Sequence, residues 1–157
     1  MTTAPRGPAG TQPASAKILI ASDHAGFALK SEIQRTLANW TWQDLGPLND
    51  DRVDYPDFAR AVALKIAAGE ASRGILICGS GIGMSIAANR VRGIRAAVVE
   101  NPVAARLSRE HNDANILCLG SRFLAAEYGA EIVQVWLETP FSQGPRHLAR
   151  IQKIDQP

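Results

Sequence analysis

The sequence predicts an α/β fold: one Rossmann-like three-layer sandwich with a five-stranded parallel sheet and a C-terminal helix. Three observations predict it. Short continuous apolar runs recur along the chain, the pattern of strands buried on both faces. Segments with helical spacing alternate with those runs. A length of 157 residues, 46% of them hydrophobic and 20% charged, fits a single globular domain.

The elements follow in order. Residues 1–16 are dominated by Pro, Gly, Ala, Ser and Thr. They cannot bury enough surface to offset their ordering entropy, so they are expected to form a flexible tail before a domain at 17–157. Lys17-Ile18-Leu19-Ile20-Ala21 reads as the first strand. A helix over 27–38 places Phe27, Ile33 and Leu37 on one face. A second strand spans 40–45 and closes at Gly46-Pro47. Pro56 suits the first turn of a helix that runs to about residue 68, where Gly69 ends it. The third strand is Gly74-Ile75-Leu76-Ile77-Cys78, followed by a glycine-rich turn and a helix over 84–89. Strands at 94–99 and 116–119 enclose a helix at 102–109. Helices at 124–137 and 145–154 complete the chain. Right-handed crossovers narrow the topology to a Rossmann- or flavodoxin-like sheet, whose ligands bind beyond the carboxyl ends of the strands.

Composition excludes several function classes. The net charge is only +2, which argues against nucleic-acid binding by bulk charge. No run of about 18 apolar residues exists, so no membrane span is expected. Two cysteines, each inside an apolar run, form neither a disulfide framework nor a CxxC site. They fit a reducing compartment, and the expected location is cytoplasmic. The three His are far apart, and no His/Cys/Asp spacing predicts a metal site. No GxSxG elbow is present either.

The chemistry-bearing residues gather after the strands. Gly79-Ser80-Gly81-Ile82-Gly83 exposes several backbone N–H groups, a geometry that binds a phosphate or a developing oxyanion, or else packs helix on strand. It is neither a GxGxxG fingerprint, since Met84 occupies the last position, nor a P-loop. Cys78 fits either a small buried hydrophobe or a thiolate base placed at a helix N-terminus. Cys118 has no such neighbour and is expected in the core. Asp23 fits a helix cap, and His24 fits a cap, a surface residue or a phosphate ligand. His111-Asn112-Asp113 reads as a polar turn or a proton-transfer site. Arg146 and Arg150, four apart around His147, make either a solvated basic face or a phosphate clamp. Arg122 follows the fifth strand.

Further stretches complete a pattern: Asp54-Tyr55-Pro56, Ser85-Ile86-Ala87-Ala88-Asn89, Gly93-Ile94-Arg95-Ala96, Ser108-Arg109-Glu110-His111-Asn112-Asp113-Ala114-Asn115 and Gly120-Ser121-Arg122. With Asp23-His24-Ala25-Gly26 and the run at 74–83, in this order, they resemble the type B ribose 5-phosphate isomerases. That group also contains the galactose 6-phosphate isomerase subunits. The resemblance covers about residues 17–154.

The resemblance implies aldose–ketose isomerisation between ribose 5-phosphate and ribulose 5-phosphate in the pentose phosphate pathway, without metal or organic cofactor. It implies a homodimer or dimer of dimers with active sites at the subunit interface. Cys78 matches the base between C2 and C1. Gly79, Gly81 and Gly83 belong to the stretch that matches the nest for the enediolate oxygen. Ser80 stands where many members have Thr and keeps the hydroxyl. His111, from the partner subunit, matches the ring-opening residue, and Asn112 beside it orients substrate hydroxyls. Asp23, His24 and Tyr55 match the sugar site; Arg122, Arg146 and Arg150, with His24, match the phosphate site. One branch of the family uses a Glu at the position of Met84 instead of the cysteine, so this sequence sides with the cysteine branch. Pro145 departs from the Gly frequent at its position. The alternatives are a six-carbon substrate, allose or galactose 6-phosphate, and a non-catalytic sugar-phosphate or nucleotide-binding module on the same fold.

Overall fold

Three strands carry the core because nearly every one of their residues is apolar. A computed structural model describes residues 16–156, so the expected tail lies outside the described residues except for Ala16. Strands β1 (Ile18–Ser22), β3 (Gly74–Cys78) and β5 (Ile116–Gly120) are buried throughout. The edge strands β2 (Trp42–Asp44) and β4 (Ala96–Val98) are shorter than the sequence predicts, three residues each, and only partly buried. Each has a neighbour on one side only, in a parallel sheet of order β2-β1-β3-β5-β4.

Side-chain alternation builds two cores. Ile18, Ile20, Ile75, Ile77, Leu117 and Leu119 face one side. They meet helices α1 (Phe27–Thr36), α4 (Pro102–Asn112) and α5 (Ala126–Glu138). Leu19, Leu76, Cys78, Ile116 and Cys118 face the other side, with α2 (Tyr55–Ala67) and α3 (Ile82–Ala88). Full burial of each large apolar side chain contributes roughly 1.5–3 kcal/mol before entropy is counted. Helix α6 (Pro145–Ile154) packs on α4, with Pro145 at its first turn, where a missing N–H costs nothing.

Two of the boundaries that differ from expectation bear on the site. Helix α3 begins at Ile82 rather than residue 84, so Gly83 lies inside it. Helix α4 runs on to Asn112, where the sequence reads a helix ending at residue 109 and a polar turn. Asp113, in the left-handed region at φ 45°, caps it instead. Its carboxylate pairs with Arg109 one turn back at 2.8 Å, which holds the last turn helical.

The chain leaves β1 toward β2 and leaves β3 toward β4, in opposite directions along the sheet. The crevice between the carboxyl ends of β1 and β3 is therefore the topological switch point.

Candidate active site

The loops at that switch point are tied together by backbone bonds. Asp23 N–H donates to the Ile77 carbonyl, Ser121 N–H to Cys78 and Arg122 N–H to Gly79, all within 3.1 Å. Ser121 Oγ donates to the Ala25 carbonyl at 2.8 Å and joins the first loop to the last. Between them lies an open cavity of about 480 Å³.

Cys78 lies at its floor, 4% exposed. Its Sγ accepts a hydrogen bond from the Gly81 N–H at 3.1 Å. Gly81 is at φ +74°, a conformation that glycine adopts freely, and that turn aims the N–H back at the sulfur. Ser80 Oγ accepts weakly from the Ile82 N–H at 3.3 Å, which leaves its proton free to donate into the cavity. Cys118 lies one layer deeper, on the same side of the sheet. Burial pushes its thiol far up, with Cys78 adding to the shift, as expected of a core residue.

The walls come from the neighbouring loops. Asp23 is 6% exposed, and its Oδ1 accepts from the Gly26 N–H at 3.0 Å, in the turn ahead of α1. His24 Nδ1 accepts from the Val53 N–H at 3.4 Å, so the ring proton belongs on Nε2. Tyr55 opens α2, and its ring fills the place of a Gly83 side chain: a Cβ there would fall 2.5 Å from the ring. Arg122 lies over the glycine turn, its guanidinium carbon 2.9 Å from where a Gly79 Cβ would be. This arrangement puts a sulfur, a set of N–H donors and a guanidinium around one space. It can move a proton between adjacent carbons while holding a negative oxygen and an anionic group.

The expected site residues divide into two groups. Asp23, His24, Tyr55, Cys78, Gly79, Ser80, Gly83 and Arg122 line this cavity, and Gly81 reaches it through its N–H on the Cys78 sulfur. His111, Asn112, Arg146 and Arg150 do not. Helix α4 starts at the carboxyl edge of the sheet and runs back about 16 Å over its eleven residues. His111 and Asn112 thus end beside the amino ends of the strands. About 13 Å of β3 separates that edge from Cys78. Asn112 lines a different cavity there, with Arg95 and Ile154. Arg146 and Arg150 are exposed on α6, whose His147 stacks on His111 at 4.3 Å.

Sequence reasoning missed other residues. Ile82 and Ile86 form an apolar rim on α3. Lys30 is 1% exposed and reaches Asp44 Oδ1 at 2.8 Å and the Pro47 carbonyl at 2.6 Å. A lone lysine next to Leu29 and one turn from Ile33 was the available signal, because a buried ammonium requires a partner. Met84 is fully buried, away from the cavity lining. Among the described residues, no group of three or more His, Cys, Asp or Glu side chains is placed to hold a metal ion. Nor is any described helix long and apolar enough to cross a membrane.

Comparison with known proteins agrees with this fold. Residues 18–154 match the family described as Ribose/Galactose Isomerase. Ribose-5-phosphate isomerase B of Escherichia coli is 46% identical over 140 residues, which cover 88% of this chain and 93% of that protein. The structure of a ribose 5-phosphate isomerase from Thermotoga maritima superimposes with a TM-score of 0.86 at 51% identity, covering 90% of this chain and 98% of the other. The type B ribose 5-phosphate isomerase of Trypanosoma brucei gives the same score at 46% identity, covering 89% and 97%. Sequence, sheet order and the cavity at the switch point converge, and the chain belongs to the Ribose/Galactose Isomerase family.

Proposed function

We propose that this protein interconverts ribose 5-phosphate and ribulose 5-phosphate. The observation that carries the reading is Cys78 at the cavity floor, with the Gly81 N–H on its sulfur and Arg122 across the glycine turn. The names of the E. coli, T. maritima and T. brucei relatives support the substrate.

The reaction begins with the furanose. His111 of the partner subunit gives a proton to the ring oxygen while the anomeric hydroxyl passes its own proton through the Ser80 hydroxyl to water in the cavity, and His111 regains a proton from solvent. The Cys78 thiolate then takes the C2 proton of the open aldose and returns it to C1, while a proton passes from O2 to O1. Between those transfers the enediolate oxygen rests on the N–H groups of the 79–83 stretch. Asp23 and Tyr55, together with Asn112 of the partner subunit, hold the sugar hydroxyls. The phosphate lies among His24 and Arg122 of one subunit and Arg146 and Arg150 of the other, so that binding energy far from C1 positions the reacting carbons.

The placement of His111, Asn112, Arg146 and Arg150 supports a homodimer or a dimer of dimers. They lie apart from the cavity that holds Cys78 in their own chain, which fits service to a neighbouring copy. The product suits the pentose phosphate pathway in the cytoplasm. The assay is turnover of ribose 5-phosphate, allose 6-phosphate and galactose 6-phosphate, followed by NMR. The reading expects the highest kcat/KM on the five-carbon sugar. A preference for a six-carbon sugar would move the substrate within the family, and binding without turnover would make the protein a sugar-phosphate-binding module.

A further inference from the structure

We infer that His147 is a positioning residue for ring opening: fixed by Ser142, its imidazole packs on His111 and sets the orientation in which that ring is offered to the neighbouring subunit. The inference rests on the role proposed above for His111.

His111 is exposed in the last turn of α4, where a side chain ordinarily samples several rotamers. Here the His147 ring lies against it, with centroids 4.3 Å apart and planes tilted by 38°. His147 is itself anchored. Ser142 Oγ lies 2.6 Å from the Glu110 carbonyl oxygen and 2.8 Å from His147 Nδ1. A hydroxyl has one proton and a carbonyl can only accept, so the Ser142 proton goes to Glu110. The oxygen must then accept from His147, which places the imidazole proton on Nδ1. The Ser142 N–H donates to the same Glu110 carbonyl at 3.3 Å. The chain ahead of α6 is therefore pinned to the residue immediately before His111.

Charge supports the same arrangement. Burial, with His111, Arg146 and Arg150 nearby, lowers the His147 pKa, and the Glu110 carbonyl opposes that shift only in part. The lowered pKa favours the neutral His147 ring, which limits the positive charge placed beside His111. Arg146 and Arg150 flank His147 on α6, so one helix presents the phosphate clamp and the support for the ring-opening group.

The test separates ring opening from proton transfer. Ribulose 5-phosphate is open-chain, because its O5 is phosphorylated and cannot close a five-membered ring on C2. Exchange of its C1 hydrogen in heavy water therefore reads the Cys78 step without ring opening, whereas turnover of ribose 5-phosphate requires both. In His147→Ala, kcat on ribose 5-phosphate should fall about tenfold, with KM and the C1 exchange rate each within about twofold of wild type. Ser142→Ala, which frees the ring while leaving it in place, should lower the same kcat by about threefold. Adding His147→Ala to His111→Ala should cause no further loss, because the first ring acts only through the second. Equal losses in both assays, additive losses in the double variant, or a raised KM with kcat intact would overturn the inference. Wild-type turnover judges the function separately. A wild type that cannot convert ribose 5-phosphate overturns both readings, and an active wild type with an unaffected His147→Ala overturns this one alone.

Discussion

The backbone N–H of Gly81 points at the Cys78 sulfur across 3.1 Å, and the chain turns it there through a left-handed residue. A Cβ at Gly81 would lie 2.9 Å from the Leu119 carbonyl carbon, so the turn has no room to relax around a side chain. Backbone geometry and chemistry thus meet at one residue.

Gly81→Ala should accordingly affect both. Strain at positive φ costs about 1–3 kcal/mol of stability. Displacing the N–H donor should lower kcat by roughly 100-fold, the scale for one oxyanion-type donor. Denaturant melts read the first and initial rates the second. Unchanged kcat with lowered stability would reduce the turn to packing.

Arg146→Ala should raise KM for ribose 5-phosphate more than it lowers kcat. A guanidinium that holds the phosphate equally in ground and transition states contributes uniform binding. Steady-state kinetics give the split. A pure kcat loss would place its action in the transition state.

The proposed sharing of one site between two copies predicts complementation. Cys78→Ala and His111→Ala should each be nearly inactive. Co-refolded in equal amounts, about half of the dimers are mixed, and each mixed dimer regains one complete site of two. Activity should return to about a quarter of wild type, the value that symmetric pairing dictates. No recovery, with mixed dimers present, would show that each chain completes its own site.

Lys30→Met should lower stability by about 3 kcal/mol, since it leaves Asp44 and the Pro47 carbonyl without their buried donor. Asp44 is only about one quarter exposed, so water offsets little of that loss. Chemical denaturation provides the measurement. A change under about 0.5 kcal/mol would mark the pair as an ordinary surface contact.

Much of this molecule was legible in the sequence where one physical constraint dominated. Strands β1, β3 and β5 are buried on both faces, so their composition alone reveals them. Strands β2 and β4 pair on one side only, and the apolar residues flanking them extend the pattern beyond the hydrogen-bonded part. His111 and Asn112 looked like a turn because they are polar, yet an exposed last helical turn is polar too, and the Asp113 cap decided the end. Ile82 was hidden among glycines, so α3 starts earlier than its apolar pattern shows. The placement of Cys78 and its glycine turn at the end of β3 was readable from residue types in order. The separation of His111 and Asn112 from the Cys78 cavity required the direction of α4, and the contacts of Lys30 and His147 required the folded chain.

The most direct test of the account is ribulose 5-phosphate incubated with the protein in heavy water and followed by NMR. An isomerase with Cys78 as its base should place deuterium at C1 and yield ribose 5-phosphate carrying deuterium at C2. Cys78→Ala should abolish both signals while the sugar phosphate still binds. Conversion by the wild type without any solvent deuterium, or exchange that survives in Cys78→Ala, would contradict the assignment of Cys78 as the base that exchanges its proton with water.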